Sequence, residues 1–232
     1  MFGYNSQFVR NERSLTSRLR VKKFPVACSP TELFLRLQEE YEYAYLLESM
    51  SGPRKLAQFS FIGFMPRLIV EAKDGKVIVI DRETKEDTGI ETSDPLDVVQ
   101  KVLGKKLCYK GFRFVGGAVG YVSYDSIRYW ENLPNIAIDD LEFPDLQMGV
   151  YDDGLIFDHV HGETFYFFRR IDRSDKLVKL AKEPSDPGSL SFTSPKINIE
   201  KDQYEESVER AKAYITSGDI FQVVISKRYD FE

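Results

Sequence analysis

The chain has 232 residues, 42% of them apolar and 30% charged, the composition of a folded globular protein with a core of its own. Its 32 basic and 37 acidic side chains give a formal net charge of −5 and are mixed along the chain. That excludes a nucleic-acid-binding surface of the usual basic kind, because phosphate neutralisation supplies most of such affinity. No apolar run approaches the ~20 residues that a membrane helix needs. Two cysteines, Cys28 and Cys108, are too few for a disulfide framework or a zinc site of the CxxC type. The expectation is a cytoplasmic protein with reduced, partly buried thiols and no membrane partner.

The first 22 residues lack the apolar stretch of a signal peptide and read as a flexible lead-in. Ser29-Pro30-Thr31-Glu32 then forms a capping box with proline at the first helical position, followed by an apolar stripe of Leu33, Phe34 and Leu37. Residues 43–49 read as a strand. A second strand, residues 59–64, follows a turn at Gly52-Pro53. Residues 67–80 predict a hairpin, in which two β-branched runs flank Asp74-Gly75, a pair suited to the left-handed positions of a type I′ turn. Asp94-Pro95 opens a second helix with Leu96, Val99 and Leu103 on one face and Gly104 as the stop.

A long β region comes next, with turn signals at Gly116-Gly117, Asp153-Gly154 and His161-Gly162. Residues 182–195 carry three prolines, a glycine and four serines, which marks them as a linker. Beyond it Asn198 is a candidate cap for a helix striped by Tyr204, Val208, Ala211 and Ile215 and ended by Gly218. Phe221, Val223, Ile225, Tyr229 and Phe231 alternate with more polar neighbours and predict a half-buried strand. The whole is strand-rich with a few separate helices and no βαβα alternation. This predicts an α+β fold with mainly antiparallel sheet. A helix and strand beyond a linker cannot form a core alone, so they either pack back on the earlier part or belong to a longer chain.

The catalytic inventory is thin. His159 and His161 share a strand face and could chelate a metal, but no third ligand is evident, and a solvent-facing hairpin end is the better reading. Gly116-Gly117-Ala118-Val119-Gly120-Tyr121 looks like a phosphate loop. No helix-forming sequence follows it, so small residues on a strand that another backbone approaches is preferred. The pairs Asp139-Asp140, Asp152-Asp153 and Glu205-Glu206 are adjacent rather than facing, and read as solvated turns or helix faces. Gln222, polar in an apolar strand, either bonds across the core or faces a substrate.

Three segments are more specific: Leu46-Leu47-Glu48-Ser49 followed by Gly52-Pro53-Arg54, then Phe59-Ser60-Phe61-Ile62-Gly63, and Gly218-Asp219-Ile220-Phe221-Gln222-Val223-Val224. With Gly116-Gly117-Ala118-Val119-Gly120-Tyr121, Ser123-Tyr124-Asp125 and Arg128-Tyr129-Trp130-Glu131, they occur in an order and spacing that resembles the large, chorismate-binding subunit of anthranilate synthase from about residue 23 to residue 232. Three positions depart from that family's pattern: Gln58 and Phe59 stand where an arginine-tyrosine pair is usual, and Met65 where asparagine is usual.

The resemblance implies an enzyme that converts chorismate and ammonia to anthranilate and pyruvate in tryptophan biosynthesis, with Mg2+ holding the substrate carboxylates. It implies a glutamine amidotransferase partner subunit in a heterotetramer, and feedback inhibition by L-tryptophan. Residues 23–181 would be the N-terminal regulatory region, and residues 196–232 the start of the chorismate-binding region. The family's catalytic motifs and metal ligands lie later than this sequence reaches, so no catalytic residue is assigned. By resemblance, the tryptophan pocket takes Ser49 first, then Glu48 and Leu47. An amino acid needs polar partners for its ammonium and carboxylate, which Glu48 and Ser49 can supply. An aminodeoxychorismate synthase-like enzyme and a non-catalytic amino-acid-binding module are the alternatives.

Overall fold

A computed structural model describes residues 18–49, 57–104, 108–136, 138–184 and 188–232. The chain divides into two compact units, Met1–Ser185 and Asp186–Glu232.

The first element among the described residues is β1 (Arg20–Lys23), most of which falls within the expected lead-in; residues 1–17 lie outside the described residues. Helix α1 (Pro30–Glu40) starts as its sequence dictates. Ser29 Oγ accepts from the Glu32 backbone N–H while the Glu32 carboxylate accepts from Ser29 N at 2.7 Å. Strand β2 (Ala44–Leu47) is shorter than expected, and β3 (Phe59–Phe64) has the expected bounds. The intervening Gly52-Pro53-Arg54 lies outside the described residues. Next come β4 (Leu68–Lys73) and β5 (Lys76–Asp81), joined at Asp74 and Gly75, whose φ angles of 48° and 81° are both left-handed, as a type I′ turn requires.

After β6 (Asp87–Glu91), helix α2 (Pro95–Leu103) is capped by Asp94, whose side chain accepts from the Leu96 and Asp97 N–H groups. Its buried face is Val98, Val99 and Val102, while Leu96 is 42% exposed. The expected face is thus rotated, because the sheet beneath meets the helix along the valines. Then follow β7 (Gly117–Val122), a 3-10 turn (Tyr124–Tyr129), β8 (Leu146–Tyr151), β9 (Asp153–Asp158), β10 (Glu163–Phe168) and helix α3 (Ser174–Leu180).

These strands make two five-stranded sheets, β1-β10-β9-β3-β2 and β6-β5-β4-β8-β7, in which every pair is antiparallel. With the separate helices this is the α+β class. One face of the first sheet packs Ile62, Phe64, Leu155, Phe157, Tyr166 and Phe168 against Leu33 and Leu37 of α1 and Leu177 and Leu180 of α3. Its other face carries Ile156 and Phe167, with Phe59, Phe61 and Phe112 packed against them. The second sheet buries Leu68, Val70, Val77, Val79, Leu146 and Val150 against α2.

The chain crosses from one sheet to the other at Asp152, between β8 and β9. Asp153-Gly154, expected as a turn, is therefore the start of a central strand. Glycine is needed there for a tertiary reason: a Cβ on Gly154 would lie 2.4 Å from the Ile62 carbonyl oxygen and 2.8 Å from the Phe167 ring. Likewise a Cβ on Gly120 would lie 1.9 Å from the Gln147 carbonyl oxygen, the close backbone approach read from the sequence. Both cysteines are free, Cys28 half-buried and Cys108 exposed.

The second unit contains helix α4 (Lys201–Ser217) and a two-stranded ribbon of β11 (Lys196–Ile197) and β12 (Tyr229–Asp230). The helix is capped by Glu200 in a capping box with Gln203, not by Asn198, whose side-chain oxygen instead accepts from Arg228 N at 2.7 Å. The strand expected across residues 221–231 is reduced to Tyr229–Asp230. A strand needs neighbours on its hydrogen-bonding edges, and the ribbon offers it one two-residue partner. No residue of α4 is buried, and Gln222 is exposed.

Candidate functional site

The residues expected at the amino-acid pocket sit at the end of β2, an edge strand of the first sheet. Leu47 is opposite Phe61 in the β2–β3 register, so the next step along the strands brings Glu48 opposite Ser60. Ser60 is in turn opposite Phe157 of β9, and two residues further along the same face is His159. The ends of three neighbouring strands therefore bring Glu48, just past β2, Ser60 of β3 and His159, just past β9, to one another. Ser60 Oγ lies 3.0 Å from Glu48 Oε1 and 2.7 Å from His159 Nε2. Ser60 is fully buried, whereas Glu48 and His159 reach solvent. The His159 backbone N–H donates to the Gln58 carbonyl at 2.9 Å, which fixes the imidazole at the sheet end.

Leu47 and Glu48 do not share a face. Leu47 follows Phe61 onto the side away from α1 and is 44% exposed. Ser49 is exposed just beyond the strand and borders residues 50–56, which lie outside the described residues. The structure thus joins Glu48 to two residues that no sequence motif combines with it. The available signal is faint: a lone serine among the aromatics of Phe59-Ser60-Phe61, on the inward side of its strand.

The two histidines part company. His161 Nδ1 is 2.7 Å from Asp158 Oδ2, while His159 bonds Ser60. Among the described residues no group of three or more His, Cys, Asp or Glu side chains could hold a metal ion. The described residues do not fit a magnesium site.

The segment with Asp125, Arg128 and Tyr129 borders a cavity of about 800 Å³. Its charges are committed to the fold. Arg128 Nε donates to Asp125 Oδ1 at 3.0 Å, and its Nη1 donates to the carbonyls of Leu133 and Pro134. Tyr129 Oη donates to Asp145 at 3.1 Å and accepts from Gly75 N, tying the segment to the β4–β5 turn. Lys73 pairs with Asp139.

Asp152-Asp153, expected to be solvated, is a correction. Asp153 is 3% exposed and accepts from Tyr166 Oη at 3.0 Å and Arg173 Nη1 at 2.6 Å. Burial raises its carboxyl from an ordinary 3.8 to about 6 against the pull of Arg173. Asp152 pairs with Arg67 at 3.0 Å.

Two antiparallel sheets with helices on separate faces and motifs in this order define a class, and comparison with known proteins identifies it. The chain belongs to the chorismate binding enzyme family, which matches residues 42–232. It is 33% identical over 202 residues to anthranilate synthase component 1 of Methanothermobacter marburgensis, covering 87% of this chain and 42% of that protein. It is 34% identical to anthranilate synthase component 1 of Acetivibrio thermocellus, covering 86% of this chain and 45% of that one. Aminodeoxychorismate synthase component 1 of Bacillus subtilis is 31% identical, with 84% and 44% covered. The crystal structure of anthranilate synthase component I from Streptococcus pneumoniae superposes with a TM-score of 0.61 at 25% identity, over 79% of this chain and 43% of that one. The chain spans less than half the length of the curated relatives it matches. Among the described residues no helix is long and apolar enough to cross a membrane.

Proposed function

We propose that this chain is the N-terminal part of an anthranilate synthase large subunit and holds half of its L-tryptophan site. The observation that carries the reading is the match to two anthranilate synthase components 1 at 33% and 34% identity over 87% and 86% of the chain. The complete protein would add ammonia to chorismate, expel the ring hydroxyl and eliminate pyruvate. A partner amidotransferase would make the ammonia from glutamine, and magnesium would be held by residues outside this sequence. By the resemblance, the catalytic groups of this scheme would lie outside this sequence.

For tryptophan, Glu48 takes the ammonium and Ser49 gives a hydrogen bond beside it, both exposed at the open end of β2. Leu47 contributes apolar surface on the other side of the strand. Inhibition needs tryptophan to bind an inactive arrangement more tightly than the active one.

The test uses the longer protein that contains this chain, supplied with chorismate, ammonium and magnesium. The expected products are anthranilate and pyruvate, with inhibition by L-tryptophan that Ser49→Phe relieves. The similarity to the Bacillus protein supports a second reading, an aminodeoxychorismate synthase, which the same assay reveals by an aminated product that keeps its pyruvyl group.

A further inference from the structure

We infer that Ser60 and His159 are positioning residues for the effector site, holding the Glu48 carboxylate ready for an ammonium group. The inference rests on the reading of Glu48 as a tryptophan ligand and adds what fixes it there.

The direction of the hydrogen bonds follows from the chemistry of the three groups. A carboxylate accepts and does not donate, so the single Ser60 proton goes to Glu48 Oε1. Ser60 Oγ then has only lone pairs left for its other partner, so His159 must present Nε2–H to it. The relay runs His159 Nε2–H to Ser60 Oγ–H to Glu48 Oε1. Each donor polarises the next, which strengthens the bond that reaches the carboxylate.

A glutamate at the end of an edge strand would otherwise be free to rotate, and fixing it on binding would cost side-chain entropy. The relay fixes Glu48 in advance through Oε1, and among the described residues none is seen bonding the second carboxylate oxygen, which would take the ligand. Ser60 suits this task because it is fully buried, opposite Phe157 in the β3–β9 register. Among the described residues, His159 reaches Glu48 through Ser60 and follows Asp158 in the chain. The Asp158 carboxylate is taken by His161 Nδ1 and by the N–H groups of Val160 and His161. The described bond of the His159 ring is therefore the one that leads to Glu48.

The experiment measures Ki for L-tryptophan, KM for chorismate and kcat on the longer synthase. It compares the wild type with Ser60→Ala, His159→Leu, His159→Gln and, as a control on the underlying reading, Ser49→Phe. Hydrogen bonds to charged groups are worth enough that Ser60→Ala and His159→Leu should each raise Ki about tenfold, well beyond any change in kcat or KM. His159→Gln, whose amide N–H can stand in for Nε2–H, should stay within about threefold of the wild type. His159 is exposed, so its variants report even where Ser60→Ala misfolds. If Ser49→Phe relieves inhibition while His159→Leu leaves Ki unchanged, or His159→Gln fails as badly as His159→Leu, the positioning role is wrong and the tryptophan reading stands. If Ser49→Phe also leaves inhibition intact, the tryptophan reading itself fails and the positioning role falls with it.

Discussion

Replacing Asp153 with asparagine should flatten the pH dependence of folding stability between about pH 4 and pH 6. In the folded chain the Asp153 carboxyl titrates near 6, against an ordinary 3.8, because burial outweighs the attraction of Arg173 and the hydrogen bond from Tyr166. Well below pH 3.8 the group is protonated in both folded and unfolded chains and contributes nothing to the pH dependence. As pH rises toward 6, the folded chain holds a proton that the unfolded chain has released, so stability falls. The gap between 3.8 and about 6 corresponds to about 3 kcal/mol lost by pH 6.5. The asparagine side chain of Asp153→Asn keeps a carbonyl oxygen for Tyr166 and Arg173 but does not titrate. Urea denaturation at half-unit steps from about pH 4 to pH 7 gives the wild-type stability minus that of the variant, which cancels the other titrating groups. The expected difference declines by about 2.5 kcal/mol over that range. A flat difference would refute the burial argument. A rising one would show that Arg173 wins and that the pair is an ordinary stabilising ion pair.

Two further substitutions test the fold. Ser29→Ala removes the side-chain acceptor of the α1 capping box and should cost about 1 kcal/mol, read as a lowered Tm with unchanged far-ultraviolet circular dichroism. Gly154→Ala places a methyl group against the Ile62 carbonyl in the middle of the first sheet, and should sharply reduce the soluble, cooperatively unfolding fraction. Full recovery of folded protein would mean that β3 and β9 do not pair in the register described.

The parts of the fold legible in sequence are those fixed by local chemistry. Ser29-Pro30-Thr31-Glu32 contains both halves of its reciprocal cap, and Asp74-Gly75 supplies two residues that tolerate left-handed backbone. The errors arise where a distant element decides. Leu96 lies near the apolar stripe, but the sheet under α2 meets Val98 and Val102 instead. Gly154 resembles a turn glycine, and only the carbonyl of Ile62, 92 residues earlier, shows that it occupies a crowded strand. Residues 221–231 alternate as a strand should, yet a strand is defined by its partners, and Tyr229–Asp230 alone find one.

The candidate site follows the same rule. Glu48 stands in a recognisable motif, but its partners come from two other strands, and Ser60 and His159 are 99 residues apart in the chain. Sheet order brings them together, with β3 between β2 and β9. Nothing in the periodicity of any one strand carries that order.

The most direct measurement of the central claim is the product made by the longer protein from chorismate, ammonium and magnesium, followed by anthranilate fluorescence with and without L-tryptophan. The account predicts anthranilate with an equal amount of pyruvate, and loss of that activity as tryptophan is added. An aminated product that retains its pyruvyl group, or anthranilate formation indifferent to tryptophan, would contradict it.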